Sequence, residues 1–440
     1  MPTSKKLIGV QQILLHPDQE TEAILRYLCE QSGKLYNTGV YFARQIFFKT
    51  SKILTGKFDL AYEPSVSKSM VARSLPSTPA QQTLLSVLEA FKSFKKLREK
   101  YLKEQLHFKP KLPDYLQGTK LFKVAYPNSG GQKPKLIDGQ LRFSLGLTVR
   151  RWFGLSDLKL PMPSNFDYSR VKEFTILPKN GAFYLELSYN IDQESHDLDI
   201  NQALSIDLGT ADNLAACVDT LGHSFLIDSR AMKALNQLWN KKVSTRKEGK
   251  PEDYWDSWLD RVTRKRNHQI RDGTNKAAKL IIDHSLKYGI GTLVIGWNDR
   301  FKANADLGNL NNQKFVQMPL GKLKDRLKQL CELHGIRYQE TEESYTSKAS
   351  YLDGDSLPQY GEQPSGWKAS GKRVQRGLYR SANGFVVNAD LNGAANILRK
   401  VARKLGLDLS QLGRRCLTTV ARVRLWTIPK STLSAESQCL

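Results

Sequence analysis

Long apolar runs are missing from this sequence: the longest, such as 214–218, fall far short of the roughly 20 residues that cross a bilayer. Residues 1–7 carry no apolar core of signal-peptide length, so export is not expected. Cysteine is scarce and unpaired. The five cysteines, Cys29, Cys217, Cys331, Cys416 and Cys439, form no C-x-x-C pair. That argues against a disulfide framework or a cysteine zinc site and fits a reducing, cytoplasmic compartment. The seven histidines show no triad pattern, so a histidine-activated nucleophile is not expected. Acids are in deficit: 43 Asp and Glu face 67 Lys and Arg, a net charge of +24. A polyanionic partner gives that charge a use, because Lys and Arg gain affinity by releasing counterions from phosphates. A merely basic, solvated surface is the plainer alternative. Ribosomal proteins are as basic, but few reach 440 residues.

What is present is a hydrophobic content of 40%, ordinary for a globular chain, and length enough for two or three domains. Residues 5–15 read as a strand. Residues 19–104 are mostly helical, with apolar spacings of three and four at Ile24-Tyr27-Leu28, Leu35-Tyr36-Val40 and Leu84-Leu88-Phe91. The last of these runs into the basic stretch 92–103. Residues 126–140 are rich in turn formers and mark a boundary loop. The segments 141–149, 171–178 and 181–191 read as short antiparallel strands, with Lys179-Asn180-Gly181 as a hairpin turn. With the N-terminal strand they form a small β-barrel-like unit over 1–18 and 126–200, into which a helical block, 19–125, is inserted.

From residue 203 the pattern changes. ALSIDLG, NLAACVD and HSFLID read as three strands, followed by a long basic helical region at 231–287. A strand at 292–296, a helix at 320–334, a strand at 336–341 and a helix at 391–404 complete the series. The helix at 320–334 sets Leu320, Leu323, Leu327, Leu330 and Cys331 on one face, and Gly335 can cap it. A three-strand meander followed by helix, strand, helix, strand, helix is the order of an RNase H-like α/β fold, assigned here to 201–404. Residues 405–440 read as a basic, weakly patterned tail open to disorder.

Two aspartates stand out. Asp207 ends an apolar strand, where a carboxylate is costly unless it meets a cation or donors. The commoner use of Asp beside Gly is a turn. Asp390 starts a helix, where plain N-capping is the commoner use. The small residues Gly393, Ala394 and Ala395 argue for tight packing of that helix on the sheet. Asn392 and Asn396 share one of its faces. A third carboxylate is harder to find, because the strand at 292–296 ends in Gly296-Trp297-Asn298. Asp299, Asp306, Asp325, Glu332, Glu340, Glu342 and Glu343 all remain open. Glu342 and Glu343 close the next strand, before the polar cluster Ser344, Thr346, Ser347 and Lys348.

SIDLGTADNLAACVD, LVIGWNDRF, ESYTSKAS and FVVNADLNGAANILRK, in this order and spacing, resemble the transposon-encoded TnpB (OrfB) family over about 203–400. They are similar also to the nuclease domain of the related type V CRISPR effectors. The resemblance implies a RuvC-like nuclease domain beside a wedge domain with a helical recognition insertion. It implies a site of Asp, Glu and Asp, with Asp207 in the first place and Asp390 in the last. The usual Glu at the tip of the fourth strand is replaced by Gly296. In one branch of the family a Glu just before the Tyr-Thr-Ser-Lys stretch compensates; Glu343 matches it, with Glu342 in reserve. Two Mg²⁺ ions about 3.5–4 Å apart are the implied cofactor. Asp207 would bridge them, Glu343 would hold one and orient the water, and Asp390 would hold the other.

The family's zinc ribbon follows the Thr-Ser-Lys stretch, but here Ala349 and Ser350 stand where its first cysteine is expected, so no zinc is expected. Asp353 and Asp355 in the surviving lid loop, 343–381, read as a turn rather than as ligands. The implied partners are a guide RNA from the transposon end and target double-stranded DNA, with no membrane and with the oligomeric state left open. Phosphate contacts are expected from Arg261, Arg264, Lys265 and Arg271, which crowd one helix with Arg266 and Lys276, although charges on a long helix are usually solvated. Lys372, Arg373, Arg376 and Arg380 in the lid loop can clamp the incoming strand, with Tyr379 stacking on a base. Trp297 reads equally as a stacking or a core aromatic. The function so implied is RNA-guided DNA cleavage next to a short adjacent motif. A guided binder without nuclease activity, a strand-transferring transposase and a general RNA-binding protein are the other readings.

Overall fold

The computed structural model describes residues 7–117, 121–209, 212–298, 318–418 and 421–426. Two compact units divide the chain, Lys5–Ile191 and Asp192–Leu440.

The first unit contains strands β1 (Leu7–Leu14), β2 (Val124–Pro127), β3 (Lys135–Ile137), β4 (Gln140–Ser144), β5 (Asp157–Pro161), β6 (Val171–Lys179) and β7 (Ala182–Ile191). Its helices are α1 (Gln19–Thr50), α2 (Pro64–Ser67), α3 (Met70–Ser74), α4 (Ser77–Leu102) and α5 (Leu147–Phe153). One sheet has the order β1-β7-β6-β2 and a second the order β3-β4-β5. The N-terminal strand pairs antiparallel with β7, as expected. The β6–β7 hairpin turns through Asn180 and Gly181 at φ 48° and 62°, the left-handed pair that matches strand twist. Apolar residues of α1 and α4, including Leu25, Leu28, Leu84, Leu88 and Phe91, share one core with Phe143, Phe174 and Ile176 of the strands. Segment 141–149 departs from the expected single strand. β4 stops at Ser144 and α5 begins at Leu147, because the backbone at Gly146 passes against Ser74, whose carbonyl oxygen a Cβ there would meet at 2.6 Å.

The second unit holds β8 (Asp199–Leu208), β9 (Asn213–Asp219), β10 (Ser224–Asp228), α6 (Arg230–Lys247), α7 (Ser257–Lys287), β11 (Ile290–Gly296), α8 (Leu320–His334) and β12 (Arg337–Thr341). After these come β13 (Lys372–Gln375), β14 (Leu378–Arg380), β15 (Val386–Asn388), α9 (Ala389–Leu405), α10 (Arg414–Thr418) and β16 (Ala421–Arg424). The main sheet runs β12-β11-β8-β9-β10-β16. β8, β9 and β10 form an antiparallel meander, and β11 and β12 are added parallel to β8, which is the RNase H-like topology. The basic helical stretch is two helices, broken between Lys247 and Ser257. Within the segment read as a tail, α10 is helical and β16 pairs parallel with β10. Residues 427–440 lie outside the described residues, as do Thr210, Asp299 and Asp306.

Strand alternation decides which side chains meet which helices. Leu204, Ile206 and Leu208 of β8 and Leu293 and Ile295 of β11 face a core shared with α7 and α8. Ala203 of β8 and Val294 of β11 face the opposite core, shared with Leu391, Ala394, Ala395, Ile397 and Leu398 of α9. Ser205, on that same face, donates a hydrogen bond to the Ala394 carbonyl at 2.8 Å. Asp207 and Gly296 continue the period on the α9 side.

Candidate active site and nucleic-acid interface

Asp207 lies in strand register with Ala216 and so is no turn residue. The first turn of α9 passes close over it. A Cβ on Gly393 would lie 2.4 Å from Asp207 Oδ2, so only glycine lets the helix approach this carboxylate. No donor among the described residues hydrogen-bonds the Asp207 carboxylate. Burial, and then the neighbouring charges of Glu343 and Asp390, push its acid well above the usual carboxylate range, with Arg373 opposing.

Asp390 is not the helix cap. Asn388 is: its side chain accepts from the backbone N–H groups of Asp390 and Leu391, at 3.0 Å each. Asp390 is thereby free to face Asn213, whose Nδ2 donates to Oδ2 at 2.7 Å, and Arg373, whose guanidinium reaches Oδ1 at 3.3 Å.

Glu343 lies two residues past β12, beside the tip of β11. A Cβ on Gly296 would stand 3.3 Å from the Glu343 Cβ and 2.5 Å from Ile397 Cδ1. The space that a side chain at 296 would need is thus taken by Ile397, and the space next to it by Glu343. Burial and the adjacent Glu342 raise the Glu343 acid, against Lys400. Glu342 is committed elsewhere. It pairs with the buried Lys400 ammonium at 2.7 Å and accepts from the Ser344 N–H. Burial works against its charge, but these bonds together outweigh it and hold its acid below the ordinary value.

The loop after Glu343 is fastened by α9. Asn392 donates to Ala349 O at 2.8 Å and accepts from Tyr351 N at 3.0 Å. Asn396 donates to Thr346 O at 2.9 Å and to Ala349 O at 2.8 Å. The shared face of these asparagines therefore holds backbone rather than the acids, and Thr346 likewise donates to Glu343 O at 2.8 Å. Asp353 accepts from Ser370 and from Ala382 N, and Asp355 accepts from Ser350 N and Ser370 N. Residues Tyr351–Gly354 form a turn, and beyond it both aspartates staple distant parts of the lid loop together.

The structure brings Asp207, Glu343 and Asp390 to one place, but not within 4.8 Å of one another. Among the described residues the sets that do reach that distance are Glu194–His196–His334 and Asp219–His223–His284. Asp207, half-buried and without a hydrogen-bond donor among the described residues, is flanked by two more carboxylates, a hard-oxygen donor set of the kind that suits a divalent cation such as Mg²⁺.

Lys372, Arg373, Arg376 and Arg380 are all exposed on β13, β14 and the turn between them, and Arg376 reaches Asp212 at 3.1 Å. Tyr379 does not project to stack on a base. It is 1% exposed and donates its hydroxyl to Lys348 O, because β14 turns alternate side chains into the α9 core. Trp297 is half-buried against the core, with Lys324 4.2 Å from its ring. On α7, Arg261, Lys265 and Arg271 are exposed and Arg264 is half-buried. Arg266 instead turns inward to Asn236 Oδ1 at 2.6–2.8 Å. Asn213 and Lys400 are the site neighbours that sequence reading passed over. Lys400 was within reach of it, since 392, 396 and 400 form one i, i+4 row.

Residues 186–300 match the OrfB_IS605 family, described as "Probable transposase", and residues 321–397 match "Cas12f1-like, TNB domain". No curated protein matches. Among solved structures, Cas12f1 in its sgRNA–target DNA complex superposes with a TM-score of 0.58 at 16% identity, over 86% of this chain and 83% of that one. A CRISPR-Cas12f ternary complex (TM-score 0.33, 15% identity, 86% and 82%) and the mini-RNA-guided endonuclease CRISPR-Cas_phi3 (0.35, 11%, 90% and 92%) are too distant to bear on the fold. Among the described residues no helix is long and apolar enough to cross a membrane. The two family matches follow one another in the order of the RNase H-like elements, and together with the Cas12f1 superposition they are consistent with a TnpB-like (OrfB) family member.

Proposed function

We propose that this chain is an RNA-guided DNA endonuclease of a prokaryotic cytoplasm, cutting target double-stranded DNA next to a short adjacent motif. The observation that carries the proposal is the gathering of Asp207, Glu343 and Asp390 from three distant segments, with the first raised by burial and by the other two. An acid raised by burial and by neighbouring carboxylates is expensive to fold, and such groups collect at functional sites. Mg²⁺ bound by these oxygens would supply an activated water and stabilise the leaving oxygen. The chain's own part is to hold the donors. Gly393 seats α9 over Asp207, Asn388 takes the capping duty from Asp390, and Asn392 and Asn396 fix the loop behind Glu343. Arg373, held by Asp390, is placed to pass to a phosphate of the strand being cut. Guide RNA and target DNA agree with the family match and the charge of +24. In this reading 1–18 with 126–200 is the wedge domain, 19–125 the recognition insertion and 201–404 the nuclease. Arg261, Arg264, Lys265, Arg271, Lys372, Arg376 and Arg380 contact phosphates.

The test is purified protein with its co-purifying RNA, a matched plasmid library of adjacent motifs, and Mg²⁺. Linear product with one motif supports the proposal; intact plasmid under every motif overturns it. Gly296 in place of Glu favours a second reading, a guided binder, which guide-dependent binding without cutting would select.

A further inference from the structure

The connector 192–198, which leads into β8, meets the C-terminal end of α8. Glu194 N–H donates to Leu333 O at 2.8 Å, and three side chains close on one another beside that bond. Glu194 Oε2 lies 3.1 Å from His196 Nε2 and 2.9 Å from His334 Nδ1, and the two nitrogens are 3.1 Å apart. Protons cannot make all three edges attractive. A carboxylate oxygen only accepts, and an imidazole nitrogen either donates or accepts, never both. If both nitrogens carry hydrogen, the two N–H groups confront each other. If one does not, its lone pair confronts the carboxylate. A cation at the centre satisfies all three edges together.

The dimensions agree with such an ion. Ligands about 2.1 Å from a metal and at right angles to each other are about 3.0 Å apart. Two histidines and one carboxylate on one face of an octahedron, with the other positions open to solvent, is a familiar donor set for divalent transition metals. The surroundings agree as well. His334 is the last residue of α8, where the unpaired carbonyls favour positive charge, and Asp283 is near enough to act on it. The other histidine cluster differs. His223 Nδ1 and His284 Nε2 each meet Asp219 Oδ2, at 3.0 and 2.8 Å, and one N–H from each satisfies both contacts without an ion.

We propose that Glu194, His196 and His334 form a divalent transition-metal site that clips the connector to the end of α8. Imidazole nitrogen sets it apart from a hard-oxygen Mg²⁺ site. Tag-free, RNA-free full-length protein, stripped of metal and kept in excess Mg²⁺, is titrated with Zn²⁺ by calorimetry. One Zn²⁺ per chain is expected. His196→Ala and Glu194→Gln, both on the exposed connector, should each weaken it by about tenfold or more, since loss of even an outer-shell partner costs about that much. His284→Ala should leave it unchanged. X-ray absorption of the Zn²⁺ complex should show two imidazoles and no sulfur. Absence of Zn²⁺ binding overturns the proposal. So does binding that survives both connector variants, binding lost only in His284→Ala, or a sulfur ligand.

Discussion

Asp207→Asn should make the metal-free protein more stable while it abolishes cutting. The folded state raises the Asp207 acid, through burial first and then Glu343 and Asp390. A raised carboxylate means that the folded chain holds the proton more tightly than the unfolded chain does. The ionised form is therefore a liability above the unfolded value, and stability returns as pH falls through the folded value toward about pH 4. Each unit of upward displacement corresponds to about 1.4 kcal/mol at a pH where the group is ionised. Asparagine keeps the shape and removes the charge, though an unpaired buried amide offsets part of the gain. A gain of 1 kcal/mol moves the melting midpoint of a unit this size by about 2–4 °C. In EDTA at about pH 8 the variant should thus melt at least about 2 °C above the parent, and the difference should vanish near pH 4. Cleavage with Mg²⁺ should fall on the order of 10³-fold or more, with guide-dependent DNA binding kept. A variant that melts lower in EDTA at neutral to alkaline pH would refute the electrostatic reasoning. Cleavage within about tenfold of the parent would refute the catalytic assignment.

Gly296→Glu, which restores the acid usual at this strand tip, should cost about 1–3 kcal/mol in urea denaturation without raising cleavage, because its Cβ runs into Ile397. Glu343→Gln should abolish cutting, whereas Glu342→Gln should keep it within about tenfold and show its loss in stability, since Glu342 serves Lys400; plasmid cleavage of both variants decides. Asn396→Ala should destabilise by about 1–3 kcal/mol, as the Thr346 carbonyl loses its donor while Ala349 keeps that of Asn392, and should expose the 343–351 loop to faster amide exchange.

Much of the second unit was legible because its signals are local. The helix at Leu320–His334 shows its apolar row and its glycine cap in one stretch of chain, and the structure ends it at those residues. Asn180-Gly181 could serve only a tight hairpin. Segment 141–149 misled because its apolar alternation resembles a strand, while the contact that breaks it, Ser74 against Gly146, comes from far up the chain. Tyr379 misled in a related way. In a basic loop it resembles a stacking aromatic, and only the pairing of β14 with β15 turns it inward.

From the sequence alone came the charge of +24, the order of strands and helices, and the three candidate acids, Asp207, Asp390 and Glu343 with Glu342 in reserve, because composition, periodicity and short motifs are written in consecutive residues. The tertiary structure decided the rest. It set Glu343 rather than Glu342 beside Gly296, gave the capping role to Asn388, and closed Glu194, His196 and His334 into one triangle. Each of those is a distance between segments far apart in the chain, settled by strand register and helix packing, which no local pattern records.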